Sequence, residues 1–385
     1  MYRKFTADRI FNGYDFLPGG SVLLLNESAV VQDIVPIADA GDDVEALPGM
    51  LMPGMVNAHC HIELSHLKNK IDRHSGLVDF VLSLMSKRAS FEDAKEQAMR
   101  DAADELLKSG TVAVGDICNG TDSISLKRHS PLYWHNFIEL TGFVESTAIQ
   151  RMDEGKRVLR SFRNELPQFP SGLSPHAAYS VSPALFELLN VETDGALISI
   201  HNQETTGEDL FISEGRGDLL RLYQHLGIDI SSYRPTGKSS LQSWLPYLHR
   251  GQKIISVHNS FTSEADIAYQ AGHTDLHRDF YYCTCPGANL FIEERMPDLY
   301  AMWISGCRML VGTDSYASND SLNLWHEVRR IRSTFPDIPE QSVLQWVTSQ
   351  AAEAFNISER YGSFHKGSQP GIVQVHNDEA RLVMH

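Results

Sequence analysis

The chain has no run of lysine or arginine, and its formal net charge is −16 over 385 residues. A surface that negative repels phosphate backbones, so no nucleic-acid polymer is expected as a partner; a small anionic substrate stays open, since a pocket can be locally positive. Long apolar runs are missing as well. No stretch approaches the roughly 20 residues of a membrane-spanning helix, so no membrane partner is expected. The start, Met1-Tyr2-Arg3-Lys4-Phe5, leads into mixed polar sequence with no apolar segment of signal-peptide length. Cysteine is scarce: the five present (Cys60, Cys118, Cys283, Cys285, Cys307) are odd in number and fall in apolar, strand-like segments. That predicts reduced core thiols in a cytoplasmic protein and excludes a disulfide framework. Repeats, low-complexity segments and extended linkers are absent too. What is left is an ordinary globular composition, 42% hydrophobic and 21% charged, long enough for one large domain and a smaller one.

The chemistry begins in Leu51-Met52-Pro53-Gly54-Met55-Val56-Asn57-Ala58-His59-Cys60-His61-Ile62-Glu63, a turn and an apolar strand ending in two histidines. Side chains alternate along a strand, so His59 and His61 share a face and Cys60 points away. Paired imidazoles at the end of a buried strand are poor core residues and a natural pair of metal ligands. The bland alternative is two histidines hydrogen-bonded in a polar loop.

Residues 1–50 read as β-rich, with Ser21–Leu25 and Ala29–Val35 as strands between Gly and Asn/Asp turns. The far end, from Gly362, is again turn and strand. Neither terminus can bury a core alone, so 1–50 and 362–385 are expected to pack as one small β-sandwich. Between them, over 51–361, strand and helix alternate. Ser90 is expected to open a helix with apolar positions at Phe91, Ala94, Ala98, Ala102 and Leu106 that ends at Gly110. Strands are expected at 111–117, 137–144, 172–176, 196–201, 253–258, 280–285 and 308–313, with helices such as 183–189, 264–271 and 322–335 between them. With the opening strand this gives eight units, which argues for an α/β fold of the (β/α)₈ TIM-barrel type, with a doubly wound sheet as the alternative. The long crossover from Glu204 to Gly251 is expected to carry an extra helix, 218–226, over the active-site face. His273 and His277 are one helical turn apart, but Gly272 and Asp275 predict a surface turn there. Cys283-Thr284-Cys285 reads as core thiols on a buried strand.

Three more strand ends carry polar residues that packing does not ask for: His201 with Glu204 three residues on, His258, and Asp314. In a barrel, strand C-termini converge on one face, where catalytic groups sit. Three imidazoles and a carboxylate make a Zn²⁺ or Fe²⁺ site with a position left for water. Each residue alone has a structural reading, a hydrogen-bonded histidine or a helix cap. All of them at strand ends is the stronger observation.

These segments resemble the amidohydrolase superfamily, in its mononuclear-metal deaminase and chlorohydrolase branch. The likeness runs through Pro53–His61, Ser174-Pro175-His176, His201-Asn202-Gln203-Glu204, Val257-His258-Asn259, Cys285-Pro286-Gly287-Ala288-Asn289-Leu290 and Gly312-Thr313-Asp314-Ser315 with Ser318-Asn319. Pro370-Gly371-Ile372-Val373 departs from the usual Ala-Asp-Leu-Val, away from the site. The resemblance implies metal ligation by His59, His61, His201 and Asp314, a proton shuttle at Glu204, water polarisation by His258 and a substrate contact at His176. One divalent ion is expected, Zn²⁺ first and Fe²⁺ second, because the fourth strand lacks the lysine that binuclear relatives carboxylate. The Pro-Cys-x-x-Cys signature of the other zinc deaminase fold is absent.

Glu63-Leu64-Ser65-His66 and Gly76-Leu77-Val78-Asp79-Phe80 look similar to aminodeoxyfutalosine deaminases, which act on an adenine-type nucleoside in menaquinone biosynthesis. Glu63, read as following His61 on the same strand face, is expected either to reach a ribose hydroxyl or to orient a metal-bound histidine. The resulting expectation is a hydrolytic deaminase of a small aminopurine nucleoside. A chlorohydrolase or cyclic amide hydrolase on the same scaffold is the alternative, and a non-catalytic relative the third reading. A homodimer is the default from oligomer base rates.

Overall fold

The first fifty-odd residues supply strands β1 (Arg3–Ile10), β2 (Ser21–Leu25), β3 (Val31–Pro36) and β4 (Glu45–Pro53). Eight more follow: β5 (Met55–Cys60), β6 (Thr111–Cys118), β7 (Tyr133–Leu140), β8 (Ser171–Pro175), β9 (Leu197–Asn202), β10 (Lys253–His258), β11 (Asp279–Thr284) and β12 (Met309–Val311). The last two are β13 (Ile372–His376) and β14 (Glu379–Met384). This computed structural model describes residues 2–273 and 279–385. Asp275 and His277, part of the expected surface turn, lie outside the described residues.

The terminal strands pair as expected, but in one continuous sheet ordered β14-β13-β4-β1-β2-β3, where a sandwich needs two facing sheets. Its inner face packs Phe5, Leu23, Leu25, Leu51 and Ile372. β4 runs to Pro53 and belongs to this sheet, so the central α/β segment starts at Met55 rather than Leu51.

The eight central strands fall in two parallel four-stranded sheets, β5-β6-β7-β8 and β9-β10-β11-β12. Single parallel bridges join them at both seams, Cys60 with Asp314 and Ala177 with His201. β5, β6, β9 and β10 are buried along their whole length, as expected of parallel strands covered on both faces. Gly312 shows how close the first seam is. A Cβ there would sit 2.8 Å from both the Cβ and the carbonyl oxygen of His59, so only glycine lets the strands meet.

Several boundaries differ from the sequence pattern. The helix expected from Ser90 is a 3₁₀ segment, Ala89–Ala94, with Phe91 out of helical geometry, followed by a helix proper at Lys95–Lys108. Its buried face is Met99, Ala102, Ala103 and Leu106, and Ala94 is exposed. The third strand of the first sheet is Tyr133–Leu140, four residues earlier than expected. The crossover after β9 carries helices Thr206–Glu214, Leu219–Leu226 and Ser240–Trp244. All five cysteines are free, four of them buried. Among the described residues no helix is long and apolar enough to cross a membrane.

Candidate active site

His59 is the penultimate residue of β5, and His61 follows the strand as the chain turns into a 3₁₀ helix, Ile62–Leu67. Their Nε2 atoms lie 3.1 Å apart, and His61 Nε2 is 3.3 Å from His201 Nε2 at the end of β9. Asp314 Oδ1 stands 3.4 Å from His61 Nε2 and 3.7 Å from His59 Nε2. The backbone holds it there: the N–H groups of Thr313 and Asp314 both donate to the His59 carbonyl, at 3.0 and 3.1 Å. Asn57 braces the same seam, donating to Thr313 Oγ1 at 2.7 Å and accepting from Thr313 N–H at 3.2 Å.

The donor chemistry of this set fits a divalent cation. His201 Nδ1 donates to the His176 carbonyl at 3.0 Å, so its Nε2 presents a lone pair. Burial keeps both outer imidazoles neutral, pushing His59 down to about 4 and His201 well below its ordinary value. Burial alone would raise Asp314, yet the imidazoles of His59, His61 and His258 beside it hold its carboxyl below the usual range. Ser318 donates to its other oxygen, Oδ2. Lone pairs and a carboxylate converging at these distances repel one another unless a cation lies between them. Glu139, His176 and His201 form a second group of ligand atoms, within 4.8 Å of one another, which shares His201.

Glu204 and His258 stand beside this cluster. His258 Nε2 is 3.5 Å from Glu204 Oε1, and its Nδ1 donates to Asn289 Oδ1 at 2.9 Å, while Asn289 Nδ2 returns a bond to the His258 carbonyl at 3.3 Å. Burial pushes Glu204 up to about 7; His258 works against this, and Asp314 and Glu293 add to it. That is the range of a carboxyl able both to take and to give a proton near neutrality. Left-handed backbone marks the same strand ends: φ is 47° at Gln203, 71° at His258, 56° at Asn259 and 56° at Asp314. Non-glycine residues held there cost on the order of 1–3 kcal/mol each and gather at functional sites.

A cavity of about 740 Å³ opens onto the cluster, with His61, His176, His201, Glu204, His258 and Asp314 on its walls. His176 is fixed by a 2.7 Å contact from Nδ1 to Ser180 Oγ. The walls also carry apolar side chains, among them Val81, Leu84, Phe143, Leu222, Leu226 and Ile228.

Seven of the eight expected site residues therefore come together. Glu63 does not join them. β5 stops at Cys60, so Glu63 rides on the 3₁₀ helix and does not share the strand face of His61. Its Oε2 accepts from the N–H groups of Asn119 and Gly120 at 3.1 and 3.2 Å, and its Oε1 from Ser123 Oγ at 3.2 Å. Both oxygens thus bond the next loop, and Glu63 is not among the residues that line the cavity. Glu139 was missed in sequence, although a carboxylate inside Phe137-Ile138-Glu139-Leu140 is the kind of signal that marks a site. Reading the strand four residues late put it mid-strand instead of next to the strand's end. Asn289 was visible in a motif but carried no role until its bond to His258 was seen.

Comparison with known proteins gives the family. The amidohydrolase family model matches residues 50–380. An adenosine deaminase of Helicobacter pylori is 25% identical over 283 residues, 73% of this chain and 67% of that protein. The crystal structure of H. pylori aminofutalosine deaminase with methylthio-coformycin superposes with a TM-score of 0.82 at 20% identity, covering 96% of this chain and 91% of that one. A zinc-bound adenosine deaminase from Xanthomonas campestris gives 0.70 at 21% identity, over 97% and 84%. The chain belongs to the amidohydrolase family, as a hydrolytic deaminase acting on carbon–nitrogen bonds.

Proposed function

We propose that this protein is a cytoplasmic, zinc-dependent deaminase of aminopurine nucleosides, with 6-amino-6-deoxyfutalosine, and so menaquinone biosynthesis, as the first substrate to test. In this reading the two parallel sheets form one (β/α)₈ barrel from Met55 to residue 361, and the terminal segments form its small companion domain. One ion is held by His59, His61, His201 and Asp314. The observation that carries the proposal is Glu204, a buried carboxyl raised to about 7, 3.5 Å from His258 on the wall of the cavity that holds this cluster.

A bound divalent cation supplies Lewis-acid activation of water near neutral pH. Glu204 takes a proton from the attacking water and delivers it to the ring nitrogen beside the amino-bearing carbon, which makes that carbon electrophilic. His258, its Nδ1–H committed to Asn289, presents the Nε2 lone pair, which can accept a hydrogen bond from the attacking water and polarise it. Asp314 passes the second proton to the departing amine, so that water and the aminopurine become ammonia and the oxo product. His176 stands on the cavity wall to contact the base. The apolar side chains on the wall favour a nucleoside with a partly apolar substituent on its sugar.

The test is ammonia release by the zinc-loaded protein on adenosine, methylthioadenosine, aminodeoxyfutalosine and guanine. Turnover concentrated on one adenine-type nucleoside supports the proposal. Chloride release from a triazine, or ring opening of a cyclic amide, with no ammonia from any nucleoside, would replace it.

A further inference from the structure

Behind the end of β5, away from the cavity, lies a charge cluster that the proposed chemistry does not use. Lys127 and Asp116 have side chains with no exposed surface, and Lys127 Nζ is 2.5 Å from Asp116 Oδ2. The ammonium also donates to Asn136 Oδ1 at 2.8 Å and to Cys118 Sγ at 3.2 Å, between the rings of Trp134 and Phe162. Burying such a pair is weak evidence for stability, since an apolar pair of the same shape often serves as well. Its position is the informative part. Asp116, on β6, uses its other oxygen to accept the N–H of Ile62 at 2.8 Å, one residue beyond His61. Glu63, on the segment after β5, accepts in return from Asn119, Gly120 and Ser123 on the segment after β6. Each loop thus carries the carboxylate that satisfies the other's backbone. The same loop also approaches a second histidine: Asn119 Nδ2 donates to Glu139 Oε2 at 2.7 Å, and Glu139 Oε1 lies 3.6 Å from His201 Nδ1, whose proton goes to the His176 carbonyl.

We propose that Asp116, Glu63 and Lys127 form a reciprocal clamp that positions His61 for the divalent cation. The clamp rests on the metal site proposed above. Its members are positioning residues: none of the three lines the cavity, and they act by fixing where the turn after β5 begins and which way the His61 imidazole faces. Groups that orient metal ligands from behind typically change affinity by about 10–100-fold when altered.

The experiment measures the dissociation constant for Zn²⁺ by competition with a chromogenic chelator, together with the thermal melting of the metal-free protein. Lys127→Met, which leaves Asp116 buried and unpaired, is expected to weaken zinc about 10–100-fold. The double variant Asp116→Asn/Lys127→Met keeps an acceptor for the Ile62 N–H without an unpaired charge at position 116, and is expected to recover most of the affinity. If Lys127→Met fails to fold, Glu63→Gln carries the test, with an expected loss of about tenfold. Unchanged affinity in folded Lys127→Met or Glu63→Gln overturns the clamp, as does a loss that the double variant does not recover, since packing would then be its cause. An unaltered protein that binds no zinc would instead overturn the metal site itself.

Discussion

At the scale of single residues, the account turns on Glu204, whose value as a shuttle comes from its surroundings. Burial lifts its carboxyl to about 7, so the proton it takes from water is one it can also give up. A bound cation opposes that lift, which places the acid limb of kcat/KM at or below pH 7, with activity falling as the pH drops and Glu204 becomes protonated. Glu204→Gln keeps the shape and removes the proton transfer. It is expected to lower kcat by about 10²–10⁴-fold, to abolish the acid limb, and to leave zinc content unchanged. Loss of zinc together with activity would make Glu204 a structural residue of the metal site instead.

At the scale of elements, the site depends on how tightly strand ends approach. Gly312→Ala introduces a Cβ 2.8 Å from His59 Cβ, with the His59 carbonyl as close, and neither is the free end of a flexible side chain. The strands must part, at about 1–3 kcal/mol of overpacking. Reduced thermal stability with weakened zinc binding is expected, read by melting curves and metal content; a variant that melts and binds zinc normally would show that the seam has slack. Much of this level was legible in sequence. β10 and the helix Glu264–Ala271 follow the pattern residue for residue, because their apolar runs are bounded by clear turn signals. β7 was misplaced because its first half carries His135 and Asn136, which look like loop residues yet are buried, His135 against Phe137 and Phe355, and Asn136 bonded to Lys127. Phe143 and Val144 looked like strand because they are apolar, but they line the cavity. The proposed ligand set was legible because each of its members stands at or just beyond a strand end. The clamp was not, since Asp116, Lys127 and Glu63 meet only once two loops fold together.

At the scale of the whole molecule, burial of neutral imidazoles couples folding to pH. His135 is pushed down to about 3 by burial and by Lys253, from an ordinary value near 6.5. Between those values the unfolded chain binds more protons than the folded one, so stability rises with pH through the window and is lost as pH falls from 6.5 toward 3. His135→Phe keeps a ring among Phe137 and Phe355 and removes this titration. Its melting temperature is expected to fall less steeply with acid than that of the unaltered protein; an identical slope would assign the acid lability to other groups.

The claim that joins the three scales is that one cation, held by His59, His61, His201 and Asp314, makes this fold a deaminase. Stripping the protein with a chelator and titrating zinc back while recording ammonia release tests it directly. The account predicts no activity without metal and a linear recovery that levels off at one equivalent. Turnover that survives complete removal of the metal, or that requires a second equivalent, would contradict it.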